Sequence, residues 1–298
     1  MSWPVRRKLL VARQPGRAKL LPTILWALLA HPALGCHLEA PAIERATLLA
    51  ERGQTAEAID LLETRVREQP PAIEERRLLI RLYGVAGDGA ASLKHAERLA
   101  ELLPPGSPVP WIELGAACEL SHRYDDALAA YDRAASVAPA DASGPKQGGM
   151  RAARWGELEL AEPRLREAVR RDPSDGEAWH ALGLVYVGLG ELDAARQAYG
   201  AGIAADPNAL ENRLGLATVA LRLNDPAAAL AQYDLLLAAR PKFTDALLGK
   251  SWSLILMGDY GSAAAALTRA EQLGADRGSI ARQRAELRAR AQPPSVAP

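Results

Sequence analysis

Residues 176–209 read GEAWHALGLVYVGLGELDAARQAYGAGIAADPNA, and this stretch decides the fold of the chain. Gly190, near its middle, is a residue that accepts the left-handed backbone at the C-terminal end of a helix. Ala195 follows near the start of the next segment, where a small side chain lets two packed helices approach closely. Pro207 is typical of the point at which a new helical unit starts. The stretch therefore predicts two helices of about 14 residues each, joined by a short turn.

All three features return along the chain at intervals of 34 residues, with one interval of 35. Prolines stand at positions 70, 104, 139, 173, 207 and 241. The turn series is Gly53, Gly87, His122, Gly156, Gly190, Asn224 and Gly258, and the small-residue series is Ala58, Ser92, Ala127, Ala161, Ala195, Ala229 and Ala263. Independent series that keep one phase predict a tandem array of helical hairpins, because a single hairpin cannot bury its apolar stripe alone.

The residues that carry a family resemblance are Trp179-x2-Leu182-Gly183-x2-Tyr186, Ala195-x3-Tyr199 and Pro207, and nearly as well Trp111-x2-Leu114-Gly115-x2-Cys118, Ala127-x3-Tyr131 and Pro139. This pattern resembles the tetratricopeptide repeat over about four-fifths of the chain. The resemblance implies an all-α fold, a right-handed superhelical solenoid of about seven helix-turn-helix repeats with a C-terminal capping helix. The solenoid is assigned to residues 36–277, with repeats at 39–72, 73–107, 108–141, 142–175, 176–209, 210–243 and 244–277.

The fourth repeat departs from the pattern, because Ser143-Gly-Pro-Lys-Gln-Gly-Gly-Met150 stands where its first helix is expected. Glycine and proline disfavour a helix interior, so we expect this helix to begin late, fray or bend. The regular repeats place leucines at core positions, and these side chains are expected to be fully buried. They are Leu114, Leu182 and Leu216.

The C-terminal end of the chain is expected to close the array. Residues 278–292 are predicted to form the capping helix, with Ser279 as its N-terminal capping residue and with Ile280, Leu287 and Ala291 on one apolar stripe. Its arginines are interpreted as a solvated surface and not as a basic binding helix. Residues 293–298 are predicted to be a disordered tail.

The first 35 residues differ from the remainder, since they hold basic residues and no acidic residue. An apolar segment with two prolines follows this basic stretch, and the order is typical of a secretory signal peptide over residues 1–35. Ala33-Leu34-Gly35-Cys36 resembles a bacterial lipobox, which implies that Cys36 is the acylated first residue of the mature chain. A plain membrane anchor, a cleaved soluble protein and a cytosolic protein with a non-functional leader are the alternatives.

Composition and motifs argue against several classes of function. The 36 Lys and Arg residues balance 36 Asp and Glu residues, so the chain lacks the basic excess of a nucleic-acid binder. No nucleophile-base set, phosphate loop or metal cluster is evident, and we predict no enzyme activity, no cofactor and no metal. Cys118 and His122 lie one turn apart, but Cys118 occupies a core position and no third ligand has useful spacing.

The resemblance also implies a groove that is lined mainly by the first helix of each repeat. The candidate groove positions are basic, acidic and apolar: Arg77, Arg81, Ile112, Glu119, Lys146, Arg154, Glu177, Leu184, Leu214, Arg222 and Trp252. Such a mixed lining suits an extended or helical protein segment with apolar anchors and charges of both signs. Two alternatives stay open: Arg77 and Arg81 form a solvated ion-pairing face with Glu74, or Trp252 packs beneath the capping helix.

The sequence thus predicts a non-enzymatic adaptor that binds partner proteins in its groove. The leader adds a membrane attachment through a lipid or an anchor, and hence a place in the bacterial cell envelope. Here the chain is similar to bacterial repeat lipoproteins that help assemble pilus or secretion pores, and to others that dock cell-wall hydrolases. An envelope glycan-binding or wall-modifying protein, and a cytoplasmic scaffold, are the alternative functions.

Overall fold

The computed structural model describes residues 40–291, and this part of the chain consists of α-helices without a strand. The helices are α1 (Ala40–Glu51), α2 (Thr55–Glu68), α3 (Ile73–Ala86), α4 (Gly89–Leu102), α5 (Val109–Leu120), α6 (Tyr124–Val137), α7 (Ser143–Trp155), α8 (Leu158–Arg171), α9 (Gly176–Leu189), α10 (Leu192–Ala205), α11 (Leu210–Arg222), α12 (Pro226–Ala239), α13 (Thr244–Met257), α14 (Tyr260–Gln272) and α15 (Arg277–Ala291). The predicted all-α fold is confirmed. The predicted signal peptide, Cys36 and the 293–298 tail lie outside the described residues.

Odd-numbered helices from α1 to α13 are called first helices below, and the even-numbered helices are called second helices. The chain divides within α7 into two compact units, one ending at Gly148 and the other beginning at Gly149. In the first unit, α3 packs against both α4 and the next first helix, α5. In the second unit, α9 packs against α8, α10 and α11, and α13 packs against α14 and α15. No helix among residues 40–291 has the length and apolar character needed to cross a membrane.

The turns inside the hairpins have the backbone that the sequence predicts. Every residue of the turn series has a positive φ, including the two that are not glycine, His122 at 59° and Asn224 at 60°. At the C-terminal end of α9, Gly190 has a φ of 84°, and its N–H donates to carbonyl groups of the last turn. Left-handed residues at helix ends satisfy carbonyl groups that have no intrahelical partner, which ends each first helix at a fixed point.

Close packing between the helices depends on small residues. Every member of the small-residue series is buried, with at most 1% of its surface exposed. Gly183 and Gly215 lie on two successive first helices of the second unit, and a Cβ atom at either would come within 2.5 Å of the Tyr199 ring. Tyr199 itself is 1% exposed. Aromatic rings of the second helices therefore fill the space that glycines of the first helices leave open.

Two of the three core leucines are less buried than predicted. Leu182 is 2% exposed, as expected. Leu114 and Leu216 are only half-buried, and each packs at the margin of an apolar cluster. The prediction of full burial is wrong for these two residues, because membership of the repeat pattern does not decide how much of a side chain the neighbouring helix covers.

The irregular fourth repeat forms its first helix in full, against the expectation of a late, frayed or bent start. Helix α7 runs from Ser143, and Pro145 lies in its first turn, where its missing N–H group would have no helical acceptor. A Cβ atom at Gly144 would come within 2.6 Å of the Ala135 backbone nitrogen, and one at Gly149 within 2.6 Å of Leu165. The glycines are therefore positions of close helix packing, and this packing outweighs their weak helix propensity.

Helix α15 ends the described part of the chain. Its N-terminus is capped by Asp276, whose Oδ2 accepts a 2.7 Å hydrogen bond from the Ser279 backbone N–H, so the prediction of Ser279 as the capping residue is wrong. Ile280 is buried in a cluster with Leu247, while Leu287 packs against a second cluster that contains Ile255. Ile280 and Leu287, two of the predicted apolar positions of this helix, thus pack within the second unit.

Candidate functional site: the first helices

The predicted groove residues all lie on first helices. In the first unit these are Arg77 and Arg81 on α3, Ile112 and Glu119 on α5, and Lys146 on α7. In the second unit they are Arg154 on α7, Glu177 and Leu184 on α9, Leu214 and Arg222 on α11, and Trp252 on α13.

In the first unit, Glu113 of α5 brings Arg77 and Arg81 together, and the repeat pattern did not predict this residue as part of the site. Oε1 of Glu113 accepts hydrogen bonds from Nη2 of Arg77 at 2.8 Å and from its Nε at 3.0 Å. Oε2 accepts from Nε of Arg81 at 2.5 Å. The Glu113 residue is only 2% exposed. We call these three residues the arginine-glutamate cluster.

Both arginines of the cluster are partly accessible, and Arg77 is held in its charged form. Burial lowers the pKa of Arg77, but the carboxylates of Glu113 and Glu74 outweigh this effect and raise it above its ordinary value. The Arg77 and Arg81 side chains keep 29% and 20% exposure. The terminal nitrogens of Arg81 donate no hydrogen bond within residues 40–291, since its bond to Glu113 uses Nε. These donors can therefore bind an anionic group without breaking the cluster.

The interpretation of Arg77 and Arg81 as a solvated face paired with Glu74 is only partly right. Glu74 does bind Nη1 of Arg77, at 3.0 Å. Arg81, however, pairs with a buried carboxylate on the next first helix and not with its own helix. Glu113 follows Arg77 by 36 residues and Arg81 by 32. Both separations are close to the repeat length, which is the signal in the sequence that identifies such partners.

Other predicted residues of the first unit have defined partners or limited exposure. Glu119 Oε1 accepts a short hydrogen bond from the hydroxyl of Tyr131 on the second helix of its own hairpin. Ile112 and Lys146 are half-buried. Glu119 is thus fixed against the interior of its hairpin, and its carboxylate is less available to a partner than the sequence suggests.

In the second unit the first helices present an apolar side chain. Leu184 on α9 is 53% exposed, while Leu214 on α11 is half-buried against an apolar cluster. Arg222, also on α11, is exposed, and its Nη1 donates a 3.3 Å hydrogen bond to the Val187 carbonyl on α9. Arg154 and Glu177 are exposed. The second unit therefore offers an apolar anchor with charged residues of both signs on the same set of helices.

Trp252 lies in a different environment from these residues. It is half-buried and packs against a cluster of Leu254, Ile255 and Ala263. Leu287 of α15 packs against the same cluster. This arrangement favours the alternative in which Trp252 is part of the packing beneath the last helix.

A buried polar network in the first unit was not predicted. The carboxylate of Glu63 on α2 accepts hydrogen bonds from the Tyr83 hydroxyl at 2.7 Å and from His95 Nε2 at 2.8 Å. Arg76 Nη1 lies 3.5 Å from His95 Nδ1 and has a hydrogen to donate, so we assign the His95 proton to Nε2. Burial lowers the pKa of His95, and Glu63 opposes that effect. The network joins α2, α3 and α4 through side-chain hydrogen bonds.

Cys118 is a core residue of the first unit. Cys118 is 5% exposed, and burial raises the pKa of its thiol, which keeps the sulfur protonated and unreactive. Among residues 40–291, no group of three or more His, Cys, Asp or Glu side chains has an arrangement that could hold a metal ion.

Comparisons with known proteins agree with this geometry. Residues 148–209 and 214–280 match the family model described as "Tetratricopeptide repeat". A solved structure of the C-terminal part of a TPR repeat-containing protein from Cytophaga hutchinsonii is 17% identical, with a TM-score of 0.60, over 80% of this chain and 98% of that one. The structure of Pseudomonas aeruginosa pilF is 18% identical, with a TM-score of 0.52, over 72% of this chain and 99% of that one. A search of curated proteins finds no match. At such identities these likenesses show the fold alone.

Proposed function

The chain is a tetratricopeptide-repeat protein, and from this premise we propose that it acts without catalysis, as a scaffold that binds partner proteins on its first helices. Repeats of this kind typically serve as protein-interaction scaffolds, and stacked hairpins present an extended surface in place of a reaction centre. The first helices of both units bear side chains suited to a protein segment. The partner is a protein and not a nucleic acid, because the chain has no excess of basic residues.

The observation that carries the proposal is the arginine-glutamate cluster. An exposed arginine loses much conformational freedom when it binds an anion, whereas a buried carboxylate already orders Arg77 and Arg81. Part of the entropic cost of binding is thus met before the partner arrives. We infer that the cluster binds a carboxylate of the partner through the terminal nitrogens of Arg81.

The second unit offers a separate point of attachment for a partner, through an apolar side chain. Leu184 is 53% exposed, and covering it with a partner side chain removes apolar surface from water, which stabilises the complex. Arg222 and Glu177 are exposed on the same set of helices and can select the partner by charge. A partner segment that binds the second unit is thus expected to combine apolar side chains with charged ones.

The capture of partners tests this function directly. Wild-type protein and two variants, Arg81→Gln and Arg98→Gln, are immobilised and incubated with detergent-solubilised envelope proteins. Glutamine at position 81 can still donate to Glu113 but lacks the additional guanidinium donors. Arg98 is an exposed arginine on a second helix, paired with Glu101, and serves as the matched control. We expect a defined partner with wild type and the control, and about tenfold less with Arg81→Gln.

Thermal unfolding of each variant shows whether position 81 acts on binding or on folding. A folded Arg81→Gln variant that captures the partner as well as wild type contradicts the role of the cluster. Failure of the wild type to recover any protein above a blank matrix contradicts the scaffold function as a whole.

We further propose that the protein is a lipid-anchored component of the bacterial cell envelope. Support comes only from the leader sequence, in which a basic stretch and an apolar segment precede Ala33-Leu34-Gly35-Cys36. Mass spectrometry of the native protein tests this proposal. An N-terminal peptide that begins at an acylated Cys36 is expected, whereas an intact Met1 on a soluble protein would point to the cytoplasm.

A further inference from the structure

The second helices of the second unit border a cleft that the proposed function does not use. It lies between α8 and α10, above α9, and has a volume of about 630 Å³. Its lining includes Trp179 and Leu182 from α9, Arg166 and Arg170 from α8, and Ala201 from α10. The Trp179 indole is fixed, because its Nε1 donates a 2.9 Å hydrogen bond to the Pro173 carbonyl. We call this site the Trp179 cleft.

The first unit contains the corresponding tryptophan, but there the space above it is filled. Trp111 occupies the same repeat position as Trp179, two repeats earlier. The Arg133 guanidinium carbon lies 3.5 Å from the centroid of the Trp111 ring, and Trp111 is 4% exposed. The residue that corresponds to Arg133 in the second unit is Ala201. The Trp179 cleft is therefore open because an alanine replaces the arginine that covers the equivalent ring.

The charges beside the two tryptophans also differ. On the second helix that precedes Trp111, the residues Glu97, Arg98 and Glu101 occupy the repeat positions that Arg166, Glu167 and Arg170 occupy on α8. Every one of these positions changes sign. At these three positions, the negative excess in the first unit favours the arginine that covers Trp111, whereas the positive excess on α8 disfavours a cation above Trp179. The missing arginine and the reversed charges together favour an occupant of negative charge.

The arginines of the cleft are accessible to such an occupant. Arg166 and Arg170 are 65% and 68% exposed, and within residues 40–291 each forms an ion pair only with a glutamate on its own helix. Exposed pairs of this kind contribute little free energy, so a partner carboxylate can compete for them. The opposite wall, on α10, consists of Gln197 and alanines, which let a helix or strand approach closely.

We propose that the Trp179 cleft binds an acidic segment of a partner protein, which places an apolar side chain on Trp179 and carboxylates beside Arg166 and Arg170. The two walls of this cleft belong to second helices, and its floor uses residues of α9 other than Glu177 and Leu184. The cleft is therefore distinct from the first-helix residues on which the proposed scaffold function relies. One chain can then hold two protein segments at once.

Three capped peptides of about 12 residues test the proposal. All three have leucines at helical spacing, and they differ in the residue at the remaining positions, which is glutamate, glutamine or lysine. Binding is followed by the NMR signal of the Trp179 Nε1–H group, which is assigned from its loss in the Trp179→Phe variant. We expect the glutamate peptide to shift this signal and to bind at least about tenfold more tightly than the lysine peptide. Equal binding of all three peptides, or no shift with the glutamate peptide, would overturn the proposal.

Two variants separate occupation of the cleft from non-specific attraction. Ala201→Met fills the space above Trp179, and Arg166→Gln/Arg170→Gln removes the positive wall; each is expected to weaken the glutamate peptide about tenfold. Arg196→Gln removes an exposed arginine of α10 that pairs with Asp193 outside the cleft, and is expected to leave affinity unchanged. Both positions of the double glutamine variant are exposed, so this variant is expected to fold. If it binds the glutamate peptide with full affinity, the proposal is contradicted, even if Ala201→Met unfolds. Capture of the Arg81-dependent partner is expected to persist in the double variant, so either proposal can fail alone.

Discussion

Trp111 and Trp179 hold the same position in their repeats but have opposite surroundings. Arg133 covers Trp111, which is 4% exposed, whereas Trp179 is half-buried beside an open cleft. The first helices show a parallel contrast. A buried carboxylate holds two arginines in the first unit, while Leu184 stays exposed in the second. The repeat pattern thus fixes the hairpins, and residues outside the pattern decide which surfaces remain available to partners.

The largest expected effect concerns burial of the core leucines. Leu182→Ala should lower the free energy of unfolding by about 2–5 kcal/mol, because a fully buried side chain leaves a cavity. Leu114→Ala, at the corresponding position of the first unit, should cost about half as much, because Leu114 is only half-buried. Denaturant unfolding of both variants checks the order, and an equal loss would show that burial does not distinguish the two sites.

The next effect tests the arginine-glutamate cluster as a stabilising feature of the first unit. Glu113→Ala should destabilise the protein by about 2 kcal/mol, since two partly buried guanidinium groups lose their common partner. Glu177→Ala, at an exposed position on a first helix of the second unit, should change stability by less than about 0.5 kcal/mol. Thermal denaturation provides the measurement. A neutral effect of Glu113→Ala would mean that solvent screens the cluster completely.

A smaller effect is expected when the arginine above Trp111 is removed or when one is introduced above Trp179. Arg133→Ala should cost about 0.5–1 kcal/mol, the usual contribution of a cation above an aromatic ring. The reverse substitution, Ala201→Arg, should stabilise the protein by less than Arg133→Ala destabilises it, because Arg166 and Arg170 repel a third cation. Stabilisation by Ala201→Arg that equals the loss in Arg133→Ala would show that the α8 charges do not matter.

The smallest effect is a dependence of stability on pH that the polar network confers on the first unit. The pKa of His95 is lowered in the folded state, so the unfolded chain binds a proton more readily as the pH falls through about 6.5. Stability is therefore fully present above that pH and decreases as the pH falls towards the folded-state pKa. When the pH is lowered from about 7.5 to 5, the unfolding midpoint should decrease less in His95→Gln than in wild type. His180 also has a lowered pKa, so the slope should shrink and not vanish.

Much of the fold could be predicted from the sequence, because it depends on properties that single residues express locally. Left-handed turns require residues that tolerate positive φ, and each predicted turn residue has such a backbone. Helix α7 was the exception. Gly144 and Gly149 suggest a frayed segment when only propensity is considered, whereas in the structure they permit contacts with α6 and α8. Tertiary packing outweighs local preference there.

The candidate site was harder to predict. The positions of Arg77 and Arg81 follow from the repeat pattern, but their pairing with Glu113 depends on side chains that reach between helices from different repeats. The Trp179 cleft was missed because it arises from an absence, an alanine at the position of Arg133. Both features become visible when corresponding positions of successive repeats are compared. The acylation of Cys36 stays a prediction, since it lies outside the described residues.

The ring of Tyr199 has a consequence for how the second unit melts. It fits against Gly183 and Gly215, so one side chain occupies space that belongs to two successive hairpins. Loosening of either hairpin uncovers the same ring, and neither can open without weakening the other. Amide hydrogen exchange in α9 and α11 should therefore report a shared opening event. Replacing either glycine by a larger residue should accelerate exchange in both helices together.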